Sequence, residues 1–447
     1  MALPEEILSS VLAFLDPQID HSTVAALRLA NKTLCRCVTP LLYRRVKAPL
    51  ATPGNSIDES KVSAYKLIEE LDGDPKLRSW VKELSTSPAT QSMIRDEARK
   101  QDIGENAPLP FYDGVSKSSL PEPLKQDILR ALSKRSEHGG VAYLLTICTE
   151  IECLHFRMGF EGFRGLPRKV FEYATRLHQE AALSSSGPSE NTRMLHAVTS
   201  LSFGHQYNDS ALSNVLDLLY LPQLTSLTVD GLGNNISHRD HSLPPPDNLI
   251  RIYNPLTIKL PSCMLSGPGL RRLLAACLKV ESLTVAWRVG DWTRDLTNQE
   301  IGDAIRQCGT SIKHLVLDTA DVYSERTRSE EGPSFGDLTD ITAHTLAVHR
   351  STLYLDYDRP MQHGFPTLRI SVPALPRTLR KLYVLGVEPD EVERCRDTVA
   401  SFHLPHLRDI VIIPWHHHVI EEWFGPVHHE SVDYHKAPEL GLKRLTD

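Results

Sequence analysis

The chain has 447 residues, a length that allows two to four domains. Hydrophobic residues make up 41% and charged residues 23%, values typical of a globular protein with a core. The net charge of −7 and the aromatic content of 6% disfavour a nucleic-acid binder, because such proteins need a basic surface and rings on which bases can stack.

Cysteine content and hydropathy indicate the cellular compartment. Eight cysteines are too sparse for a disulfide scaffold, and no CxxC pair occurs in the sequence. The first apolar stretch contains Glu5, Glu6 and Asp16, which argue against a secretion signal, and no apolar run approaches the ~20 residues that span a bilayer. We therefore expect a cytosolic or nuclear protein with no membrane contact and with reduced thiols.

The N-terminal segment predicts three short helices. Apolar residues recur at helical spacing between Ile7 and Leu15, and the next two apolar runs follow polar residues that can cap a helix. We expect Ser22 or Thr23 to cap the second helix and Asn31 to cap the third. Three helices of this size bury little surface on their own, so the segment needs a partner.

Polar or proline-rich stretches interrupt the rest of the chain. Residues 87–125 contain five prolines among serines and charged residues, and we expect a long loop there. Similar breaks occur at 184–191, 231–248 and 324–337.

Between these breaks, the pattern apolar-x-x-Leu-x-apolar recurs. Its members are Ile151/Leu154/Phe156, Val198/Leu201/Phe203, Leu224/Leu227/Val229, Tyr253/Leu256/Ile258, Val280/Leu283/Val285, Ile312/Leu315/Leu317, Leu379/Leu382/Val384 and Leu407/Ile410/Ile412. The central positions 201, 227, 256, 283 and 315 are 26, 29, 27 and 32 residues apart. If Leu353/Leu355 is included, the steps continue as 38, 29 and 28 to positions 382 and 410. One Leu-x-Leu strand per 20–30 residues is the spacing of a leucine-rich solenoid. Helix-like stretches at 269–278, 298–308 and 389–402 lie between the predicted strands.

The first 46 residues resemble an F-box of the form common in fungal proteins. The resemblance is carried by Leu3-Pro4-Glu5-Glu6-Ile7-Leu8, Leu27-Arg28-Leu29-Ala30-Asn31-Lys32 and Pro40-Leu41-Leu42-Tyr43-Arg44. It implies docking onto the Skp-type adaptor of a cullin–RING ubiquitin ligase. We expect the apolar residues of the opening and closing motifs to form most of this contact: Leu3, Pro4, Ile7, Leu8, Val11, Leu41, Leu42 and Tyr43. The alternative is a generic helical cap on the solenoid.

The remainder resembles a degenerate leucine-rich-repeat array, a frequent companion of the F-box. The Asn or Cys that this family places three residues after the second Leu is absent, since Leu232, Arg288, Ala320 and Val387 stand there. The missing Asn or Cys normally satisfies backbone groups in the turn, so we expect an irregular array.

The sequence contains no motif for chemistry of its own. The histidines at 416–418, 428, 429 and 435 are dense enough to suggest a metal site, but the HExxH pattern fails at His429-Glu430 and a solvated cluster is favoured. His238-Arg239-Asp240 lacks the rest of a kinase loop, and neither a Walker A nor a GxSxG motif occurs. We therefore predict a protein without enzymatic activity, metal or cofactor.

Strand residues that flank the core leucines should point outward and form the binding surface. The outward positions of the predicted strands carry four Asp and one Lys and no Arg cluster, so a phosphorylated substrate is disfavoured. Long intervals and amphipathic tyrosines favour a substrate surface at Asp318, Tyr354, Asp356 and Tyr383 that binds a neutral or basic peptide. Alternatively, the tyrosines pack beneath an insertion.

Together these features predict an α/β architecture with a parallel strand and a helix per repeat. The expected parts are an F-box at 1–46, a connecting region at 47–140, a leucine-rich-repeat-like solenoid at 141–430 and a tail at 431–447. The predicted function is the substrate-recognition adaptor of a cullin–RING (SCF-type) ubiquitin ligase, with a Skp-type adaptor, a cullin and a protein substrate as partners. The alternative is a repeat-scaffold interaction protein not tied to ubiquitylation.

Overall fold

The fold is given by a computed structural model of the chain. It describes residues 5–12, 14–15, 20–48, 67–86, 112–133, 137–156, 165–183, 194–203, 210–233, 256–277, 279–288, 296–319, 335–349, 375–387, 392–393 and 404–414. These residues are α/β, as predicted, and they fall into two compact units. Unit 1 comprises Met1–Asn208 and Asp217–Leu224, and unit 2 comprises Asp209–Leu216 and Thr225–Asp447.

The described helices and strands are interspersed, with several runs of consecutive helices or consecutive strands. The helices are α1 Glu5–Leu12, α2 His21–Ala30, α3 Lys32–Arg44, α4 Pro75–Trp80, α5 Tyr112–Lys117, α6 Glu122–Ser133, α7 Glu137–Ile147, α8 Leu166–Leu183, α9 Leu212–Leu218, α10 Gly267–Ala276 and α11 Asn298–Cys308. The strands are β1 Arg45–Ala48, β2 Glu83–Thr86, β3 Cys153–Phe156, β4 Ser200–Phe203, β5 Ser210–Ala211, β6 Ser226–Val229, β7 Leu232–Gly233, β8 Thr257–Cys263, β9 Ser282–Trp287, β10 His314–Asp318, β11 Thr345–His349, β12 Lys381–Val387 and β13 Asp409–Pro414. Residues 67–73 are also helical.

The three predicted N-terminal helices are present as α1, α2 and α3, with α1 and α2 both packed on α3. Their shared core consists of buried residues surrounded by partly buried leucines: Leu12, Val24, Cys37 and Val38, with Leu8, Leu15, Leu27, Leu34, Leu41 and Leu42. The Asn31 cap is confirmed, because its side chain accepts a hydrogen bond from Leu34 N at 2.8 Å. The predicted cap of the second helix is wrong, because α2 begins at His21 and places Ser22 and Thr23 inside its first turn.

The α3 helix leads directly into the strands of unit 1. Arg45 begins β1 immediately after Arg44 ends α3, and β1, β2, β3 and β4 pair in parallel in that order. Their central residues are buried and in register: Val46, Leu84, Leu154 and Leu201. The 87–125 segment, expected to be a loop, holds α5 and the first residues of α6. Its later prolines are compatible with a helix because Pro123 lies in the first turn, where no intrahelical N–H bond is needed.

Helices and aromatic rings complete the core of unit 1. The α7 helix packs against α6 and α8, and α8 also contacts α6. The Phe156 and Phe203 rings, on neighbouring strands, stack with their centroids 5.4 Å apart, and the edge of Phe171 meets Phe156 at 5.7 Å. Stacked and edge-to-face rings are both favourable arrangements for aromatic pairs.

Unit 2 repeats the same arrangement over seven strands. β6, β8, β9, β10, β11, β12 and β13 pair in parallel in that order, and β5 forms a separate two-residue pair with β7. The residues of one row face the core: Leu227, Ile258, Leu283, Leu315, Leu346, Leu382 and Ile410. The α10 and α11 helices pack together, and α11 begins with a capping box between Thr297 and Glu300. Two predicted helices are confirmed as α10 and α11, whereas 389–402 lies outside the described residues apart from 392–393.

Two predicted strand positions are wrong. The Tyr253/Leu256/Ile258 pattern is displaced by two residues, because Ile258 and not Leu256 occupies the core row and Leu256 is 37% exposed. The strand between β10 and β12 is β11, Thr345–His349, and not the Leu353/Leu355 segment. Ala343, Leu346 and Val348 match the recurring pattern and are all buried, so this signal was present in the sequence.

Candidate functional site

An exposed apolar stripe on the N-terminal helices is the first candidate site. Ile7 and Val11 of α1 are 48% and 59% exposed, and Phe14, just after this helix, is 91% exposed. Their spacing of four residues places Ile7 and Val11 on one face of α1, and we call these two residues together with Phe14 the apolar stripe. Leu29 of α2 is a further large apolar side chain that is 86% exposed in the same unit. Exposed apolar clusters of this kind mark interaction surfaces more often than isolated apolar residues do.

The stripe forms because α1 has apolar residues on more than one face. Leu8 and Leu12 pack into the core shared with α2 and α3, which leaves Ile7 and Val11 directed away from it. A three-helix unit cannot bury both faces of its first helix. The remaining face is therefore available for another surface.

The predicted adaptor-binding residues have different locations in the structure. Ile7 and Val11 are exposed, while Leu8, Leu41 and Leu42 pack against the core of the three helices. Tyr43 is half-buried, and Leu3 and Pro4 lie outside the described residues. Phe14 and Leu29 are exposed apolar residues that were not predicted from the sequence, and the helical spacing of α1 does not extend to Phe14.

Tyr43 is engaged within the chain. Its hydroxyl donates a hydrogen bond to Glu70 Oε2 at 2.9 Å. Partial burial, followed by this hydrogen bond and the nearby Glu70 charge, raises the pKa of Tyr43 above its ordinary value of 10.0.

The outward face of the unit 2 strands is the second candidate site. Its central row in register is Thr228, Lys259, Thr284, Val316, Ala347, Tyr383 and Val411. Thr284, Val316 and Ala347 of this row are buried, so the expectation that all flanking strand residues are exposed is wrong on β9, β10 and β11. Tyr383 and Asp318 are both half-buried and lie on outward positions of β12 and β10, with β11 between them. The Lys381 ammonium lies 4.7 Å from the centroid of the Tyr383 ring, within cation–π range. Tyr354 and Asp356 lie outside the described residues.

Buried cysteines in the described parts of the chain are poor nucleophiles. Burial raises the pKa of Cys148, Cys263 and Cys277 to about 12, so their thiols are protonated at neutral pH.

No group of three or more His, Cys, Asp or Glu in the described residues could hold a metal ion, and the C-terminal histidines lie outside these residues. Among the described residues, no helix has the length and apolar character needed to cross a bilayer.

Neither models of known protein families nor the curated proteins contain a match to this chain.

Proposed function

We propose that the chain is the substrate-recognition adaptor of a cullin–RING ubiquitin ligase and acts without catalysis of its own. The N-terminal helices bind a Skp-type adaptor, and the strand-bearing units bind a protein substrate. The observation that carries the proposal is the apolar stripe, because it coincides with the segment whose sequence resembles an F-box. Ubiquitin transfer is then promoted by proximity, since a bound substrate has a high effective concentration near the transfer machinery. The cytosol or nucleus is the corresponding compartment.

The order of the strands supports a solenoid of the leucine-rich-repeat type. Within each unit, successive core-row strands pair in parallel and bring one apolar residue per strand into a common row. These residues are buried except Ile410 of β13, which is half-buried. Helices lie between many of the strands, including α10 between β8 and β9 and α11 between β9 and β10. A parallel strand followed by a helix is the repeating element of such arrays. We therefore propose that each unit is an irregular leucine-rich-repeat-like array.

Co-purification of the full chain with a Skp-type adaptor and a cullin tests the adaptor role. Ile7→Ser with Val11→Ser should weaken adaptor binding at least about tenfold, because interface energy is concentrated in a few apolar anchors. Both residues are exposed, so the thermal unfolding temperature should stay within about 2 °C of wild type.

Leu256→Ser provides the matched control, since Leu256 is an exposed leucine of unit 2. This control should bind the adaptor as wild type does. Failure of the wild-type chain to bind any Skp-type adaptor would contradict the proposal and favour a scaffold that is not tied to ubiquitylation.

We propose further that substrate binds around Asp318, Tyr354, Asp356 and Tyr383. Tyrosine is enriched among the residues that dominate interface energies, and Asp318 gives this surface acidic character. Tyr354→Ala with Tyr383→Ala should lower the capture of substrates that accumulate on the Ile7→Ser, Val11→Ser chain. Adaptor binding by the otherwise wild-type chain should be unaffected. A large loss of thermal stability in the tyrosine variant would instead assign the rings to packing.

A further inference from the structure

A repeated hydrogen-bond pattern fixes how the strands of unit 2 begin. The carbonyl before each strand accepts two backbone N–H groups from the start of the next strand. Lys313 O accepts from His344 N at 2.8 Å and Thr345 N at 3.0 Å, and His344 O accepts from Arg380 N at 2.8 Å and Lys381 N at 3.0 Å. Arg380 O accepts in the same way from Arg408 N at 2.8 Å. Residues far apart in sequence therefore share one edge of the strands.

This edge of β10 to β13 is rich in basic side chains. We call the following set the basic edge: Lys313, His314, His344, Arg380, Lys381 and Arg408. Lys313, His314, Arg380 and Arg408 are exposed, and the other two are half-buried. The outward positions within the predicted strands contain no Arg cluster. The basic edge instead combines residues just before the strands with the first residues of the strands.

Carboxylates neutralise the basic edge only in part. Lys313 Nζ lies 3.1 Å from Glu281 Oε1, and Lys381 lies over the Tyr383 ring. Within the part of the chain that the structure describes, neither Arg380 nor Arg408 has a carboxylate within ion-pair distance. The pKa of His344 is lowered by partial desolvation and then by the positive charges of Arg380, His314 and Lys313. These neighbouring cations disfavour protonation of His344.

We propose that the basic edge is the docking surface for an acidic peptide segment of a partner protein. Arginine guanidinium groups form bidentate hydrogen bonds with carboxylates. Arg380 and Arg408 lie just before the neighbouring strands β12 and β13, with this capacity unused by the described residues. Neighbouring strands are about 4.8 Å apart, so the three spacings from β10 to β13 extend over roughly 14 Å. An extended peptide advances about 3.3 Å per residue and covers this distance with four to five residues.

The surrounding charges favour a short acidic peptide over a nucleic acid. Glu281 stands before β9 next to Lys313, and Asp409 begins β13 opposite Lys381. These two carboxylates limit the positive surface at its ends and would repel a continuous phosphate backbone.

The basic edge and the proposed surface around Asp318 and Tyr383 meet on β12, where the Lys381 ammonium lies over the Tyr383 ring. On β10 they are separated, because His314 begins this strand and Asp318 ends it. Peptide docking at the basic edge does not require binding of a Skp-type adaptor. Its test is therefore independent of the proposed ligase function.

Fluorescence anisotropy of the full chain with labelled peptides tests the proposal. The first probe is an eight-residue peptide with four consecutive glutamates flanked by Gly and Ser, and the second is the same peptide with glutamines. The glutamate peptide should bind at least about tenfold more tightly, and its affinity should fall as salt rises from 50 to 300 mM, roughly the range over which exposed charges become screened. Arg380→Ala with Arg408→Ala should weaken binding about tenfold or more, because two charge-assisted contacts are lost.

Arg271→Ala is the matched control, since Arg271 is an exposed arginine of α10 in the same unit and lies outside the basic edge. It should leave the affinity unchanged. If the double alanine variant unfolds at a lower temperature, Arg380→Glu with Arg408→Glu gives a second test, because a folded chain with reversed charge should prefer a lysine peptide. Equal affinity for the glutamate and glutamine peptides would overturn the proposal. Tighter binding of a single-stranded oligonucleotide through the same arginines would also overturn it.

Discussion

The Tyr43 hydroxyl donates a hydrogen bond to the Glu70 carboxylate across 2.9 Å. Tyr43 lies in the last turn of α3, and Glu70 belongs to the helical segment 67–73 that precedes α4. The α3 helix also packs against α4, so the N-terminal helices contact the elements that lead to β2. The F-box-like helices and the first four strands are thus parts of one compact unit.

The first prediction concerns titration of Tyr43. Because Glu70 and partial burial raise the pKa of Tyr43, Glu70→Gln should lower that pKa toward 10.0. A raised pKa favours the protonated phenol in the folded state. The contribution of the protonated Tyr43 phenol to the free energy of unfolding is therefore present below pH 10 and is lost as pH rises through the folded-state pKa. Ultraviolet difference titration of wild type, Glu70→Gln and Tyr43→Phe isolates the Tyr43 phenolate signal.

Tyr43→Phe should also destabilise the fold by about 1 kcal/mol or less, the usual net contribution of one exposed hydrogen bond. Tyr173→Phe is a matched control in the same unit, because it also removes a single tyrosine hydrogen bond. The Tyr173 hydroxyl donates to the Ser119 carbonyl at 3.0 Å. An unchanged Tyr43 pKa in Glu70→Gln would contradict the hydrogen-bond assignment.

The second prediction separates the two possible registers of β8. Ile258 is fully buried in the core row, whereas Leu256 is 37% exposed. Ile258→Ala should therefore cost about 2–5 kcal/mol of unfolding free energy, as other deletions of buried aliphatic side chains do. Leu256→Ala should cost about 1 kcal/mol or less. Urea unfolding followed by circular dichroism measures both changes, and the reverse order would restore the register predicted from the sequence.

Most strands of the core rows could be predicted because a buried parallel strand repeats a short apolar pattern at regular intervals. The pattern cannot fix the register where two alternating positions are both apolar, as at Leu256 and Ile258, and burial then decides between them. It also failed for β2, where Thr86 occupies the second inward position and is fully buried. A polar residue there interrupts the apolar signal. Helices such as α5 were hidden by neighbouring prolines that are tolerated near helix ends.

The third prediction tests the close approach of α11 to the segment that follows it. A Cβ added to Gly302 would clash with the backbone oxygen of Phe335, so an alanine there forces backbone movement. Gly302→Ala should destabilise the protein by about 1–3 kcal/mol or more, the usual cost of overpacking. Gly73→Ala is the control, because nothing lies within 4 Å of its added Cβ and the substitution should be neutral or stabilising. Equal urea midpoints for the two variants would contradict the packing.

The candidate sites were only partly accessible from the sequence. Ile7 and Val11 were identified because helical spacing and the F-box-like motif point to the same face. The basic edge could not be identified in this way, since Lys313 and Arg408 are separated by three strand intervals. Their proximity depends on the register of β10 to β13, which local sequence patterns do not determine.

The last prediction concerns the charge state of His344. Because desolvation and neighbouring cations lower its pKa below 6.5, the folded state disfavours the imidazolium. The contribution of neutral His344 to the free energy of unfolding is therefore present above pH 6.5. It declines as pH falls through this value toward the folded-state pKa. Arg380→Ala removes one of these cations and should raise the His344 pKa. The groups that face His344 are Lys313 and His314 at the start of β10 and Arg380 before β12.

A bound glutamate peptide should raise the His344 pKa as well, because its carboxylates offset the same positive charges. Nuclear magnetic resonance titration of the imidazole Cε1–H signal measures the His344 pKa in the wild-type chain, in Arg380→Ala and in the peptide-bound chain. His344→Gln assigns the resonance. Arg271→Ala should leave the His344 pKa unchanged, since Arg271 is not among the charges that act on it. A His344 pKa that is unchanged by saturating glutamate peptide would place the peptide away from the basic edge, even if the peptide binds the chain.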